Sequence, residues 1–251
     1  MDETIKQLLK TVTAEENTNI DDAGIKEAEG WSAPEKQALV QLEGHRLFQW
    51  GCGAGALPVV QFCFRNVGSK KRRQEMLRAG EHGGFRRAAE RGHTHTLAAV
   101  LEAMSVNADD GSKQSMIANN HYSIVQRVTK AGKGGSLRLL MDHIPRSVLY
   151  EAVTGDVNHK TQHFNAFVHA ASHDLVNVLD VILNCPHMSH RQAKRLLKDH
   201  AKPALLAALN HGSDSAVQLL VRALLRLSHQ DASHIVLFDN YIVFDATLQS
   251  G

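Results

Sequence analysis

The sequence contains few aromatic residues and few cysteines. Of its 251 residues, 5% are Phe, Trp or Tyr, while hydrophobic residues make up 43%. A core with so few rings is built mainly from Ala, Leu and Val, which is typical of stacked helices. The three cysteines, Cys52, Cys63 and Cys185, form no CxxC pair. This sparse, odd set excludes a dense disulfide framework and favours a reducing compartment.

The sequence also lacks the usual signals for export and membrane insertion. Its first ten residues, MDETIKQLLK, carry acids where a signal peptide has bases. No apolar run approaches the roughly 20 residues that a membrane helix needs. We therefore expect a soluble, cytoplasmic protein without a transmembrane segment. Secretion into a host cell by a route that needs no amino-terminal signal stays open.

Neither sign of charge dominates the whole chain, but charge is unevenly distributed along it. Lys and Arg number 28 against 26 Asp and Glu, a net charge of +2, which does not indicate a dedicated nucleic-acid binder. Residues 1–43 carry ten acids and four bases, and residues 14–30 have the composition of an acidic linker. By contrast, residues 65–91 carry nine bases and three acids.

A pattern of twenty residues occurs five times in the chain. Its copies align without internal gaps and begin at Phe48, Phe85, Val125, Phe167 and Leu205. Positions 1, 4 and 5 of the pattern are apolar or small, and positions 13, 16, 17 and 20 are mostly apolar. Position 8 is glycine in four copies and Asp174 in the other. The steps between copies are 37, 40, 42 and 38 residues.

This spacing predicts a helix, a tight turn and an antiparallel helix in each copy. Positions 1, 4 and 5 lie on one face of a short helix. A glycine at position 8 can adopt the left-handed conformation that ends a helix. Positions 13, 16, 17 and 20 then form an apolar stripe on the second helix. One such pair cannot bury both its faces, so we expect an all-α solenoid of about five stacked pairs with terminal caps.

The second copy, FRRAAERGHTHTLAAVLEAM, resembles the ankyrin repeat. The match is carried by Ala88, Ala89, Gly92, His93, Leu97, Val100 and Leu101. The resemblance implies ankyrin-like repeats over residues 44–226, a turn histidine that bonds to backbone, and a protein-binding scaffold. It is also similar to effectors that intracellular bacteria inject into host cells. Every copy lacks the Thr-Pro-Leu-His opening, and the steps exceed the usual period of about 33, so a HEAT-like or armadillo-like solenoid stays an alternative.

The residues between copies also favour helices. The segments SKKRRQEMLRA (69–79), PRSVLYEAV (145–153) and SHRQAKRLLKDH (189–200) predict a third short helix where ankyrin proteins have an extended finger. In the last segment, Leu196 and Leu197 are expected to turn inward. Its bases form a second basic element, Arg191, Lys194, Arg195 and Lys198. Two basic elements on one edge would suit an acidic partner.

Both ends of the chain are predicted to cap the repeats. Ser32 and Glu35 have the spacing of a capping box that opens a helix over the first copy. Residues 1–12 suggest another short helix. Residues 227–251 are expected to form the carboxy-terminal cap, because they contain apolar runs at 235–238 and 241–244. These runs fit a β-hairpin or an apolar helix, and if uncovered they would form a docking site.

The expected partner is another protein, with no cofactor. The candidate binding residues lie at repeat positions outside the core or in the basic run: Trp50, Lys70, Lys71, Arg72, Arg73, Arg86, Arg87, Arg127 and Lys130. The basic run could instead bind nucleic acid or anionic lipid, or be covered by the acidic amino-terminal segment. A solvated helix between repeats is the simplest interpretation of its charge.

No pattern in the sequence predicts an enzyme or a metal site. His169 and His173 lie four residues apart on a predicted helix, a spacing that can hold zinc. However, no cysteine or carboxylate completes a ligand set, so structural or surface histidines are favoured. Cys52 and Cys63 fall on buried repeat positions, whereas Cys185 lies near a helix end. An enzyme that uses Cys185 or the histidine pair is the least favoured alternative.

Overall fold

The computed structural model describes residues 28–107, 110–155 and 164–226. Within these ranges the chain is all-α, as predicted, and contains no strand. The first helices are α1 (Ala33–Gln41), α2 (Arg46–Ala54), α3 (Leu57–Asn66), α4 (Lys70–Arg91), α5 (Thr94–Asn107) and α6 (Asp110–Lys130). They are followed by α7 (Gly134–Met141), α8 (Leu149–Thr154), α9 (Ala166–Ser172), α10 (Val176–Leu183), α11 (His190–Asn210) and α12 (Asp214–Leu225). A short 3₁₀ turn, Arg146–Val148, precedes α8.

Each of the five sequence copies contains two helices joined by a short turn. The pairs are α2–α3, α4–α5, α6–α7, α9–α10 and α11–α12. At position 8 the backbone is left-handed in all five turns: φ is 72° at Gly55, 83° at Gly92, 67° at Gly132, 51° at Asp174 and 66° at Gly212. This conformation ends the first helix and redirects the chain. The predicted turn is therefore confirmed in every copy.

The buried positions also recur from pair to pair. Positions 1, 4, 13 and 16 are buried in all five copies, as the apolar pattern predicts. Position 17 is fully buried only at Leu101 and Met141. Sequence reasoning did not assign position 12 to the core, yet it is buried in every copy: Val59, Thr96, Ser136, Val178 and Ala216. The second helix therefore buries a wider face than its apolar residues indicate.

The described residues up to Met116 form one compact unit. In it, α1 begins with the predicted capping box, because the Glu35 carboxylate accepts hydrogen bonds from the Ser32 amide at 2.9 Å and the Ser32 hydroxyl at 2.6 Å. Helix α1 packs against both helices of the first pair, which confirms its predicted location. First helices contact first helices (α2 with α4), and second helices contact second helices (α3 with α5).

The described residues from Ile117 form a second compact unit. There α9 packs along α11, and α10 contacts both α7 and α12. Helix α8 contacts α9 and α11. Consecutive pairs thus pack in the same order as in the first unit, with first helices together and second helices together.

The segments between copies are helical, as predicted. The first is the initial part of α4, which is separated from the rest by left-handed or extended backbone at residues 79–82. The second is α8 with its 3₁₀ turn, and the third is the first half of α11. Leu196 and Leu197 are buried there, as expected. The helix predicted for residues 1–12 and the apolar runs of 235–244 lie outside the described residues.

In the fourth copy, Asp174 takes the place of the glycine at the turn because its side chain makes a hydrogen bond there. Its Oδ1 accepts the Ala216 amide at 2.8 Å, so it caps the start of α12 in the next pair. Beside it, the Ser213 hydroxyl donates to the Ser172 carbonyl at 3.1 Å. A left-handed residue with a side chain is disfavoured by roughly 1–2 kcal/mol. The cap offsets that cost, since a side-chain cap contributes about 1 kcal/mol.

Two substitutions at Asp174 separate the cap from the backbone strain. We expect Asp174→Ala to lower the free energy of unfolding by about 1 kcal/mol, because it loses the cap, while the strain of a Cβ in the left-handed region is the same as in the wild type. Asp174→Gly loses the cap but relieves the strain, so its loss should be at least about 1 kcal/mol smaller. Urea unfolding followed by circular dichroism measures both. Equal losses in the two variants would contradict this account.

Candidate functional site

Three of the four bases of the basic run are displayed at the start of α4. Lys70, Lys71 and Arg72 are exposed in its first turn. The Ser69 hydroxyl begins the helix by accepting the Arg72 amide at 3.3 Å. Because the amino-terminal end of a helix carries partial positive charge, these side chains and the helix end together favour an anionic group.

Arg73 has a different environment from its three neighbours. It is half-buried, and its Nη2 donates to the Phe64 carbonyl at 2.9 Å. Phe64 lies in the last turn of α3, where carbonyl groups have no partner within the helix. Arg73 therefore fastens the end of α3 to α4, and sequence reasoning could not distinguish it within the run Lys-Lys-Arg-Arg.

The other bases of α4 lie in its second part. Arg86 is half-buried, and its Nη1 is 3.5 Å from Glu81 Oε2. Arg87 is exposed. Trp50 is half-buried on α2, the helix that packs against α4. Three predicted partner-binding residues of this unit thus lie on two adjacent first helices.

Backbone of the first pair is bonded to the turn of the second. The Gly53 carbonyl accepts from Arg91 Nη1 at 2.9 Å and is 3.0 Å from His93 Nε2. The expectation that the turn histidine bonds to backbone is confirmed at His93. The histidine also requires Gly55, because a Cβ there would lie 2.5 Å from the ring. These contacts give the turn histidine a structural role.

Four rings and one cation form a row in the second unit, which we call the ring row: Lys130, Phe164, His169, His173 and His211. The Lys130 ammonium lies 4.8 Å from the Phe164 ring centre, and Phe164 lies 4.8 Å from the His169 ring. The His169 and His173 rings are 4.0 Å apart, and His173 and His211 are 6.0 Å apart.

The ring row crosses three successive helix pairs. His173 and His211 both occupy position 7 of the repeat, and Lys130 occupies position 6. That coincidence was visible in the sequence but was not used. Arg127 lies one turn before Lys130 on α6 and is exposed. The two predicted partner-binding residues of this unit therefore lie at one end of a continuous row of rings.

The histidine nitrogens that can be assigned bond to nearby backbone. His211 Nδ1 donates to the Ala207 carbonyl at 2.8 Å. His173 Nδ1 lies 3.1 Å from the His169 carbonyl and 2.8 Å from the Ser172 hydroxyl. Among the residues that the structure describes, no three His, Cys, Asp or Glu side chains are grouped to hold a metal ion.

Burial also decides the chemistry of the thiols. Cys52 and Cys63 are fully buried, as their repeat positions predict. Burial raises the pKa of both thiols far above its ordinary value, so they stay protonated and unreactive. Cys185 is half-buried, between α10 and α11 in the chain.

A polar network that the sequence did not suggest joins α8, α9 and α11. The Tyr150 hydroxyl donates to Asp199 Oδ2 at 3.0 Å and lies 3.1 Å from His200 Nε2. Arg195 donates to the same carboxylate at 3.2 Å and lies over the Tyr150 ring. Asn165 links His200 to α9, because its Oδ1 accepts the Val168 amide and its Nδ2 lies 3.2 Å from His200 Nδ1. Each of these polar groups has a protein partner, so the network fixes the position of α8 beside α9 and α11.

No family model, curated protein or solved structure matches this chain. In the part of the chain that the structure describes, no helix is long and apolar enough to cross a bilayer. The argument for function therefore depends on the chain's own repeats and surface residues.

We expect His169 to make stability depend on pH. Burial, and then the nearby His173 and Lys130, lower the pKa of His169 below its ordinary value of 6.5. A lowered pKa means that the folded state disfavours the charged ring. Its contribution to stability is thus complete above the ordinary value and is lost as pH falls through the lowered pKa.

Urea midpoints at about pH 8 and about pH 5 should show this loss in the wild type and a smaller loss in His169→Gln. The exposed His190 on α11 provides a control, and His190→Gln should behave as the wild type does. An unchanged pH dependence in His169→Gln would show that His169 does not cause the loss of stability at low pH.

Thiol labelling tests the burial of the cysteines. In the folded protein we expect a maleimide reagent to modify Cys185 and to leave Cys52 and Cys63 unmodified, because a buried neutral thiol is neither accessible nor nucleophilic. In urea all three should react. Mass spectrometry of the labelled peptides counts the sites, and rapid native labelling of Cys52 or Cys63 would refute the buried arrangement.

Proposed function

We propose that this chain is a non-catalytic, protein-binding scaffold made of five ankyrin-like helix pairs. The observation that supports it best is the recurrence of one left-handed turn and one set of buried positions in all five copies. Within each compact unit, successive pairs pack in the same order. Such stacked repeats provide a long, rigid surface that is ordered before a partner arrives.

The proposed partner surface uses positions 2, 3 and 6 of the first helices, which the apolar pattern does not assign to the core. Trp50, Arg86 and Arg87 occupy these positions in one unit, and Arg127 and Lys130 occupy them in the other. Aromatic residues and arginines often dominate binding energy at protein interfaces. The ring row extends the second set with further polarisable surface. Action as a bacterial effector in a host cell is the biological setting that we propose.

The second candidate function is binding of nucleic acid or anionic lipid. It is supported by the display of Lys70, Lys71 and Arg72 on the first turn of α4. Binding of this kind depends mainly on phosphate contacts and weakens steeply as salt rises. Arg73 contributes little to it, since its guanidinium is bonded to the Phe64 carbonyl.

Capture from a cell lysate by the immobilised chain, at low and moderate salt, tests the two candidates. One variant carries Arg86→Ser, Arg87→Ser, Arg127→Ser and Lys130→Ser. A second carries Lys70→Ser, Lys71→Ser and Arg72→Ser but keeps Arg73, so that α3 stays fastened to α4. The control removes three exposed arginines elsewhere, with Arg138→Ser, Arg146→Ser and Arg222→Ser.

We expect the wild type and the control to retain a discrete protein at both salt concentrations. The first variant should bind it at least about tenfold more weakly, which corresponds to about 1.4 kcal/mol. Retention of nucleic acid or lipid alone, lost with modest salt and lost in the second variant, would replace our proposal with the second candidate. Equal binding by all four proteins would show that the proposed surface does not contact the partner.

A further inference from the structure

The fifth helix pair exposes a position that the other four pairs bury. Position 5 is fully buried in the first four copies, at Cys52, Ala89, Thr129 and Ala171. In the fifth copy it is Leu209, which is 39% exposed. The largest side chain found at this position is therefore the only one of the five that reaches solvent.

In the first pair, position 5 faces the pair that follows. A Cβ added at Gly84 of α4 would lie 3.1 Å from the Cys52 sulfur, so α4 covers Cys52. Likewise, α9, which carries Ala171, packs along α11 of the next pair. Leu209 occupies the equivalent place on α11, and the described residues end at Arg226, just after α12.

Two further leucines are exposed on the same pair. Leu206 of α11 is 47% exposed and Leu225 of α12 is 68% exposed. With Leu209, they are all of the large apolar side chains that are exposed in the part of the chain that the structure describes. We call Leu206 and Leu209, which lie three residues apart on one side of α11, the leucine face. Full burial of a leucine contributes about 1.5–3 kcal/mol, and the end units of a repeat stack need a cover for such a face.

The chain itself carries a segment that suits the leucine face. Residues 235–244, IVLFDNYIVF, contain eight apolar or aromatic residues in ten. Ten residue steps separate Leu225 from Ile235 and span up to about 34 Å. Helix α12 itself is only about 18 Å long. The segment can therefore reach back along α12 to the turn that joins it to α11, beside Leu209.

Charge favours the same segment. Helix α11 carries five bases, Arg191, Lys194, Arg195, Lys198 and Lys202, and one acid, Asp199. Residues 227–251 carry three aspartates and no lysine or arginine. Opposite charge on two docking surfaces favours their association, whereas two copies of α11 would oppose bases to bases.

We propose that residues 235–244 dock on the leucine face and cover the fifth pair, as the second pair covers Cys52 of the first. A tethered segment of this kind acts at an effective concentration on the order of millimolar, so it outcompetes a second copy or a separate protein of similar affinity. The proposal is independent of the partner-binding function, and either can fail without the other.

Paramagnetic broadening in the full chain tests this docking. A nitroxide is attached to Asn210→Cys, beside Leu209, in a Cys185→Ser background where the remaining thiols are buried. Methyl signals of Ile235, Val243 and their neighbours are then recorded by NMR. We expect them to lose most of their intensity, and we expect Leu206→Ser with Leu209→Ser to restore it. Arg138→Ser, at an exposed position on α7, should leave the broadening unchanged.

Three results would overturn the proposal. Full methyl intensity in the nitroxide-labelled chain that keeps both leucines would show that the segment lies away from the leucine face. A second result is a double serine variant that unfolds at the wild-type temperature and still shows the broadening. That result would place the segment near Asn210 but away from the two leucines. Broadening that also occurs when isotope-labelled chains without nitroxide are mixed with nitroxide-labelled chains would assign the leucine face to a second copy.

Discussion

The structure depends on a single backbone conformation, the left-handed residue that ends the first helix of each pair. Five residues adopt it, one in each copy: Gly55, Gly92, Gly132, Asp174 and Gly212. The first helix of every copy therefore ends in the same backbone conformation. Positions 1 and 4 of the first helix and positions 12, 13 and 16 of the second then contribute to the core. A residue with a side chain meets this requirement only where its side chain gains a bond that offsets the strain, as Asp174 does with the Ala216 amide.

Polar contacts reach from one turn to the next pair and complement the apolar core. The Gly53 carbonyl binds Arg91 and lies within hydrogen-bonding distance of His93, and the Ser172 carbonyl accepts the Ser213 hydroxyl. Each contact satisfies a carbonyl near the carboxy-terminal end of a helix, where no partner within the helix is available. At these two places the turn therefore both ends a first helix and connects its pair to the next one.

Most of the fold could be predicted from periodicity. Apolar spacing located the helix pairs, their turns and the helical connecting segments, because the buried face of a helix is recorded in its own sequence. Periodicity does not record which groups on another helix meet a side chain. Arg73 could not be separated from Lys70, Lys71 and Arg72 for this reason, since its distinction is the Phe64 carbonyl on α3. The ring row was found only in part, because His169 and His173 share a helix region whereas His211 and Phe164 come from other segments.

The shortness of each helix pair has a consequence for the order in which the chain folds. The repeated copy at the centre of each pair brings together residues fewer than twenty positions apart, and its turn is set by one residue. Contacts so close in sequence form with little loss of chain entropy, and proteins dominated by them fold quickly. In stacked repeats, folding can nucleate at any unit and spread to its neighbours. Since the steps between copies differ only in the connecting segments, we expect changes of length there to alter the rate of spreading and to leave nucleation within a pair intact.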